Sequence, residues 1–365
     1  MRVKTKWIWN LWEGILIVVP LVLLFVNWKW GLIAAAAALI LFLIWSLVVL
    51  FIGLNTRVNF GAAKVIHYSD VVKLSNKDKA NLNWMEKAGE AMEQVTPDGL
   101  VLEGKLIRHP RSRGLVYIAH GFGDYRYTSI QNPAKNFYDL GYSIFVGHSR
   151  GFSKRSGFWT GMGVLERADH ERWLTRLEKE LPNQAIFLYG VSMGAASMMN
   201  LADLEGHPQI CGIIEDCGYV SLYDQMDHSL KNVLQLPEWP ILPMTNFWCR
   251  RICRYSLKDL DVREKLAASN FPILAVHGRK DDFVPYKNLD LVIEAAGDNL
   301  FDAHSYENAA HCQSFVVDSP DYWKRVSRFL DTFTDPKVPH ARTVSRKRQE
   351  HRQMHAEAKP DQPED

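Results

Sequence analysis

The chain has 365 residues, 47% of them hydrophobic, and its 43 Lys and Arg residues nearly balance its 41 Asp and Glu residues, giving a net charge of +2. This near balance, with no basic residues interleaved with aromatic ones, argues against a dedicated nucleic-acid-binding protein. The length is enough for one large α/β domain with additional segments. Five cysteines follow neither disulfide-framework nor zinc-site spacing, which favours a reducing compartment.

Residues 1–54 contain two apolar stretches that predict a membrane anchor. Residues 31–54 carry no charge, and a helix of about 20 apolar residues is enough to cross a bilayer. Residues 9–28 form a second stretch of similar length with tryptophans at both ends, which is typical of membrane interfaces. A signal peptide is the alternative, but no small-residue cleavage site follows the apolar core.

Two spans joined only by residues 27–30 would form a hairpin whose two ends lie on the same side of the membrane. Basic residues are concentrated outside the hairpin, with the single Lys29 in its turn. The flanking basic residues are Arg2, Lys4, Lys6, Arg57 and Lys64. By the positive-inside rule the termini and the rest of the chain lie in the cytoplasm, provided that the first stretch spans the membrane and does not lie flat on it.

Beyond the anchor, residues 55–78 are expected to form a juxtamembrane linker. Residues 79–95 have helical spacing, and residues 100–107 alternate as an antiparallel strand does. Short, fully apolar runs separated by helical stretches then predict a parallel sheet buried on both faces. The runs are residues 115–119, 143–146, 185–189, 212–214 and 272–276, and the clearest helices are residues 165–181 and 320–333.

Residues 335–365 are rich in charged residues, His, Pro and Gln and have almost no large apolar side chains, so we expect a disordered tail. Its basic cluster could contact anionic lipid headgroups, but a solvated tail is the favoured interpretation.

Gly190, Ser192 and Gly194 form a GxSxG motif between an apolar, β-prone run and a helix-forming run of small residues and methionines. A strand, a sharp turn and a helix are the context in which this motif lifts a serine hydroxyl above the edge of a sheet. The motif by itself is weak evidence, so its context carries the interpretation.

The loops that follow the predicted strands hold the other candidate residues. His120, Gly121, Phe122 and Gly123 follow the first parallel strand, residues 277–285 (HGRKDDFVP) follow a later one, and His311 follows the last predicted strand near residues 300–306. Ligands bind at this edge of an open α/β sheet.

With these motifs, residues 79–334 resemble the α/β-hydrolase superfamily, in the branch of serine aminopeptidase-like and bacterial esterase-like members, some with an N-terminal membrane segment. The order Ser192, Asp281, His311 is the order of the family. The resemblance implies the α/β-hydrolase fold: a mostly parallel central sheet, helices on both faces and a short helical lid at about residues 219–268.

Residue by residue, the resemblance implies Ser192 as the nucleophile, His311 as the general base and acid, and Asp281 as the group that orients it. A serine hydroxyl needs such a base, and a carboxylate on the other ring nitrogen fixes the tautomer. Asp281 is favoured over Asp282 by the HGxxDxxVP pattern. Asp216 stays a further candidate for the acid, with helix or turn capping as its alternative role.

The resemblance also implies an oxyanion hole formed by the backbone N–H groups of Phe122 and Met193. Gly190 and Gly194 are the glycines of the turn around Ser192, the nucleophile elbow. Gly121 and Gly123 are the glycines of the loop that carries Phe122. Arg150 is expected to brace the loop after the fourth strand, where His148 replaces a common Asp, and Cys312 is expected to be a small core thiol.

These expectations describe a membrane-anchored serine hydrolase that cleaves carboxylic esters or thioesters through an acyl-enzyme. A peptidase or amidase shares the same chemistry, and a catalytically silent membrane scaffold is a third possibility. We expect a small-molecule or lipid-like acyl substrate, contact with the bilayer, no nucleic acid, no cofactor and no metal, since the histidines form no ligand-spaced cluster. The physiological substrate and the oligomeric state do not follow from the sequence.

Overall fold

The computed structural model describes residues 6–57 and 75–334 of the chain. Most of the predicted linker and the whole predicted disordered tail therefore lie outside the described residues. Arg2, Lys4 and Lys64, on which part of the orientation prediction rests, also lie outside them.

Two helices begin the described chain, α1 at Lys6–Val26 and α2 at Trp28–Leu54, and they pack against each other. Asn27 caps α2 by accepting a hydrogen bond from the Lys29 N–H at 3.1 Å. Gly31 lets the helices approach closely, because a Cβ there would lie 2.5 Å from Leu24.

Among the described residues, α2 is the one helix long and apolar enough to cross a membrane. Most of its apolar side chains are exposed, including Leu41 and Ile44. The described apolar part of α1, Ile17–Val26, is shorter than a bilayer requires, so this part of the chain does not support a second span.

A helix and an antiparallel strand pair follow, where the sequence predicted one helix over residues 79–95. Helix α3, Asn76–Ala88, ends before Gly89, and residues Glu90–Val95 form strand β1. This prediction was wrong beyond Ala88, because β1 pairs along its whole length with β2, Val101–Ile107, and long-range pairing overrides local spacing. The strand predicted over residues 100–107 is confirmed as β2.

Eight strands form one sheet in the order β1-β2-β4-β3-β5-β6-β7-β8. Strand β2 is antiparallel to β1 and β4, and the remaining neighbours are parallel. The other strands are β3 Leu115–Ala119, β4 Ser143–Gly147, β5 Ile186–Val191, β6 Ile210–Asp216, β7 Ile273–Gly278 and β8 Leu300–Tyr306. The predicted parallel sheet is confirmed.

Helices cover both faces of this sheet. They are α4 Gln131–Asp139, α5 Glu166–Glu180, α6 Met193–Met199, α7 Leu222–Asn232, α8 Ile241–Ile252, α9 Arg263–Ala267, α10 Lys287–Ala296, the 3-10 turn Gly297–Asn299, α11 Ser314–Val317 and α12 Ser319–Thr334. Every residue of β3 to β7 is buried, and two hydrophobic clusters form the core, one on each face. Burial on both faces explains why the sequence of these strands is continuously apolar.

The segment between β6 and β7, predicted as a lid over residues 219–268, forms α7, α8 and α9; we call it the lid segment. Its helix α8 packs against α2. Part of the lid segment thus lies against the second N-terminal helix.

The central strands should carry most of the stability. Replacing the fully buried Ile214 of β6 with Ala is expected to lower the free energy of unfolding by about 2 to 5 kcal/mol, through lost burial and a residual cavity. The matched control, Val95→Ala, removes a side chain that is 67% exposed on the edge strand β1 and should cost less than about 0.5 kcal/mol. Urea unfolding in detergent, followed by tryptophan fluorescence, measures both; equal losses would contradict the assignment of the core.

Candidate active site

Ser192 lies at the turn between β5 and α6, with φ of 57° and ψ of −120°. Two glycines make this strained turn possible. A Cβ at Gly190 would lie 2.3 Å from the carbonyl oxygen of Gly194, and a Cβ at Gly194 would lie 2.2 Å from that of Ala119. Both positions are therefore too crowded for a side chain. The predicted strand, turn and helix around Ser192 are all present.

Three side chains from separate loops form one hydrogen-bonded row. The His311 Nε2 atom lies 2.9 Å from Ser192 Oγ, and His311 Nδ1 lies 2.7 Å from Asp281 Oδ2. His311 follows β8 and Asp281 follows β7, so the parallel sheet brings their loops to the same edge. When the ring is neutral, with its proton on Nδ1 toward Asp281, Nε2 accepts a hydrogen bond from the Ser192 hydroxyl.

The Asp281 carboxylate is fixed by its own loop. Its Oδ1 atom accepts hydrogen bonds from the N–H groups of Phe283 at 3.0 Å and Val284 at 2.8 Å. Burial raises the pKa of Asp281, but the interactions with His277 and His311 outweigh burial and lower the pKa to about 2. Asp281 is therefore ionised at neutral pH.

The two alternative acids lie elsewhere. Asp282 is exposed, and its backbone carbonyl interacts with His228. The Asp216 carboxylate accepts a hydrogen bond from the Tyr322 hydroxyl at 2.9 Å, and burial raises its pKa to about 6. The structure therefore brings Asp281 to His311.

The pKa of His311 reflects opposing effects. Burial disfavours the charged ring, whereas Cys217 and Asp281 favour it, and the net result is a raised pKa. Burial also raises the pKa of the Cys217 thiol well above its ordinary value, so this thiol is neutral near pH 7. We attribute the raised pKa of His311 to the Asp281 carboxylate.

The loop after β3 carries Phe122, which lines the same cavity as Ser192 and Met193. His120 connects this loop to the loop after β4. Its Nε2 accepts a hydrogen bond from Ser149 N–H at 3.0 Å, and its Nδ1–H donates to the Gly121 carbonyl at 2.8 Å. Burial lowers the pKa of His120, so the ring is neutral and this tautomer is fixed.

Arg150 joins the β4 loop to two acids. Its guanidinium donates to the carboxylates of Asp169 and Asp98 at distances from 2.5 to 3.4 Å. These contacts agree with the predicted bracing role. His148 stacks on Tyr127 with ring centroids 4.2 Å apart, and burial lowers its pKa to about 3, so it does not supply a charge in place of the usual Asp.

The cavity at Ser192 has a volume of about 110 Å³ and is mostly apolar. The lid segment contributes much of its wall, and two residues of α2 contribute as well. The described residues that line it are Ile52, Gly53, Phe122, Met162, Ser192, Met193, Tyr219, Gln225, Met226, Ser229, Val233, Leu234 and Phe283. None of these described residues carries a charged side chain.

Two residues beneath the site were not singled out from the sequence. His277 is fully buried, donates from Nε2 to the Val284 carbonyl at 3.0 Å, and lies 3.5 Å from Asp281 Oδ2. Glu215 is also fully buried, and burial raises its pKa to about 8. The histidine of the HGxxDxxVP pattern could have indicated His277 from the sequence. No motif indicated Glu215.

All five cysteines lie in the described part of the chain and are free thiols. Cys217 Sγ lies 3.7 Å from Cys312 Sγ, and Cys312 is half-buried. The ligand atoms of Cys217, His311 and Cys312 lie within 4.8 Å of one another, a group that the sequence did not predict. Both His311 nitrogens already contact Asp281 and Ser192, so a metal ion there would have to displace one of them.

The chain is similar in sequence to a family of known proteins and to two bacterial relatives. Residues 110–242 match the family model described as serine aminopeptidase, S33. YqkD, an uncharacterized protein of Bacillus subtilis strain 168, is 25% identical over 201 residues, which cover 54% of this chain and 65% of YqkD. The match therefore spans just under two thirds of that relative. YfhR, an uncharacterized protein of Escherichia coli K12, is 22% identical over 218 residues, covering 57% of this chain and 69% of YfhR.

Among solved structures, the Pyrococcus furiosus esterase Pf2001 is similar, with a TM-score of 0.56 and 20% identity over 72% of this chain and 97% of the esterase. The chain has the α/β-hydrolase fold. Together with the match to the serine aminopeptidase family, this fold supports a place in the α/β-hydrolase superfamily.

Replacing Asp281 with Asn tests the origin of the raised His311 pKa. In the wild type the pKa of His311 should lie above its ordinary value of 6.5, so that the ring stays protonated to higher pH. In Asp281→Asn burial is no longer opposed by a carboxylate, and the pKa should fall below 6.5. Asp282→Asn, which changes the exposed neighbour, is the matched control. NMR titration of labelled histidines measures each pKa, and an unchanged value in Asp281→Asn would refute this origin.

Proposed function

We propose that this chain, with its α/β-hydrolase fold, is a membrane-anchored serine hydrolase that cleaves carboxylic ester or thioester bonds through an acyl-enzyme. The observation that carries the proposal is the continuous row of hydrogen bonds from Asp281 through His311 to Ser192. Such a row supplies a nucleophile, a base and an orienting carboxylate in one place.

In the first step, Ser192 Oγ attacks the carbonyl carbon of the substrate while His311 Nε2 takes the hydroxyl proton. The leaving alcohol or thiol departs with that proton, and the acyl group stays on Ser192. In the second step, water loses its proton to His311, attacks the acyl-enzyme, and releases the acid while Ser192 regains its proton. Asp281 stays ionised and stabilises the imidazolium in both steps.

The developing negative charge on the carbonyl oxygen needs donors near Ser192. We assign this role to the backbone N–H groups of Phe122 and Met193, since both residues line the cavity at Ser192. One such donor contributes about 3 kcal/mol of transition-state stabilisation in serine hydrolases.

The cavity favours an ester or thioester over a peptide. An aminopeptidase must bind the ammonium group at the end of its substrate, and a carboxylate is the usual partner for such a charge. Among the described residues that line the cavity, none is acidic. A peptidase or amidase of the serine aminopeptidase type is the second candidate, supported by the family match. A silent scaffold is disfavoured by the intact hydrogen-bonded row.

For the membrane, we propose that α2 is the anchor and that α1 completes a hairpin, with the hydrolase domain on the cytoplasmic side. The support is the length and composition of α2 and the packing of α1 against it. The sequence adds five basic residues outside the hairpin against the single Lys29 in its turn: Arg2, Lys4, Lys6, Arg57 and Lys64.

Loss of Ser192 tests the enzymatic proposal. Ser192→Ala and His311→Ala should each lower kcat for p-nitrophenyl butyrate by at least about 10,000-fold, because each removes a group that acts as part of one unit. Ser197→Ala, which changes a buried serine of the helix that follows Ser192, is the matched control and should stay active. Covalent labelling by a fluorophosphonate should be lost in Ser192→Ala alone among the serine variants. Substantial turnover by Ser192→Ala would remove the assigned nucleophile.

Cysteine labelling tests the proposed topology. Labelling of the unchanged chain, which has five cysteines, serves as the background. Above this background, Lys29→Cys in the hairpin turn should react with a membrane-impermeant maleimide in intact cells. Ser345→Cys in the C-terminal tail should react only after the membrane is permeabilised. Labelling of Ser345→Cys from outside would reverse the orientation, and protection of both sites would contradict the hairpin.

A further inference from the structure

The end of α2 is attached to the body of the hydrolase. Thr56 Oγ1 donates a hydrogen bond to the Gly151 carbonyl at 2.7 Å, and the Thr56 backbone N–H donates to the Phe158 carbonyl at 2.8 Å. The Tyr125 hydroxyl donates to the Thr56 carbonyl, and Tyr125 belongs to the loop that carries Phe122. The last turn of the membrane helix is therefore held against the proposed oxyanion loop.

The middle of α2 is attached to the lid segment. The indole N–H of Trp248 donates to Ser46 Oγ at 3.0 Å, and Thr245 Oγ1 donates to the Ser46 carbonyl at 3.3 Å. Ser46 is fully buried by these contacts. Because buried polar groups must be paired, these bonds fix one face of α2 on α8.

Between these two attachments, α2 lines two neighbouring cavities. Ile52 and Gly53 belong to the wall of the cavity at Ser192. A second cavity of about 50 Å³ is lined by Val49, Leu50, Gly53 and Leu54, together with residues of the lid segment. Thr245 is the one polar side chain among the described residues that line it.

The two cavities share three lining residues, Gly53, Met226 and Leu234. They therefore adjoin and form a row that starts at Ser192 and continues along α2 toward its middle. Ile44, five residues before Val49 on α2, is exposed. These two small cavities, of about 110 and 50 Å³, have mostly apolar walls, which suit an unbranched hydrocarbon chain better than a polar or bulky acyl group.

We infer that α2 is part of the substrate site and that the substrate carries a long, unbranched acyl chain that lies along it. The ester or thioester carbonyl sits at Ser192, the first carbons pass Ile52 and Gly53, and the later carbons contact Leu50. This inference rests on the proposed function, because it assigns the acyl group of the same reaction.

Gly53 is the position that controls the path. It lines both cavities, and a Cβ built there meets no atom within 4 Å. A larger side chain would therefore fit the protein itself and project into open space. Gly53→Leu should narrow the passage between the cavities without disturbing the packing of α2.

The experiment compares kcat/KM for p-nitrophenyl palmitate and p-nitrophenyl butyrate, with the full chain in detergent. The wild type should prefer palmitate, since each added methylene is buried against apolar side chains. Gly53→Leu should lower the palmitate to butyrate ratio by about tenfold or more, and Gly53→Ala should give an intermediate ratio. Gly14→Leu on α1, where a Cβ also meets no atom within 4 Å, should leave the ratio unchanged.

The outcomes separate this inference from the proposed function. A wild type that hydrolyses butyrate but rejects palmitate, or an unchanged ratio in Gly53→Leu and Gly53→Ala, would overturn the inference alone. A wild type that hydrolyses neither ester and resists the fluorophosphonate would overturn both. Labelling of Gly53→Leu by a short-chain fluorophosphonate would show that Ser192 is still reactive in this variant. A changed palmitate to butyrate ratio would then report the path of the acyl chain.

Discussion

The attachment of α2 to the hydrolase body is the interaction on which the rest of the structure depends. Thr56 satisfies two loop carbonyls, Tyr125 satisfies the Thr56 carbonyl, and Ser46 is paired on α8. If α2 were removed, the cavity at Ser192 would lose Ile52 and Gly53 from its wall, and α8 would expose the partners of Ser46. Helix α2 and the body of the α/β-hydrolase fold are therefore one packed unit among the described residues.

Two kinds of physical constraint meet at this site. The proposed catalytic residues are polar groups held in fixed conformations. Ser192 lies in a crowded turn, and the buried carboxylate of Asp281 is held by two backbone N–H groups. The two cavities beside Ser192 are lined mostly by apolar side chains of α2 and the lid segment. In the proposed reaction, the polar groups determine which bond is cleaved, and the apolar side chains determine which acyl group reaches Ser192.

Much of this was predictable from the sequence. Strands buried on both faces must be apolar throughout, so the parallel sheet was visible, and the order of Ser192, Asp281 and His311 indicated loops that a parallel sheet brings together. Residues 90–95 were mispredicted because the spacing of Met85 and Met92 fits a helix, while pairing with β2 decides the outcome. The proximity of Cys217 to His311 depends on tertiary packing between distant segments. The proposed role of Gly53 was not predictable, because an apolar helix indicates a membrane anchor and the sequence does not show what else the helix contacts.

The proposed place of α2 in the substrate site can be tested by direct observation. An experimental structure of the full chain after reaction with a hexadecyl fluorophosphonate would show the alkyl group bonded through phosphorus to Ser192. We expect its chain to pass Gly53 and to continue along Leu50 between α2 and the lid segment. A chain that leaves Ser192 in another direction, with no contact to α2, would contradict a substrate site shared between the membrane helix and the hydrolase body.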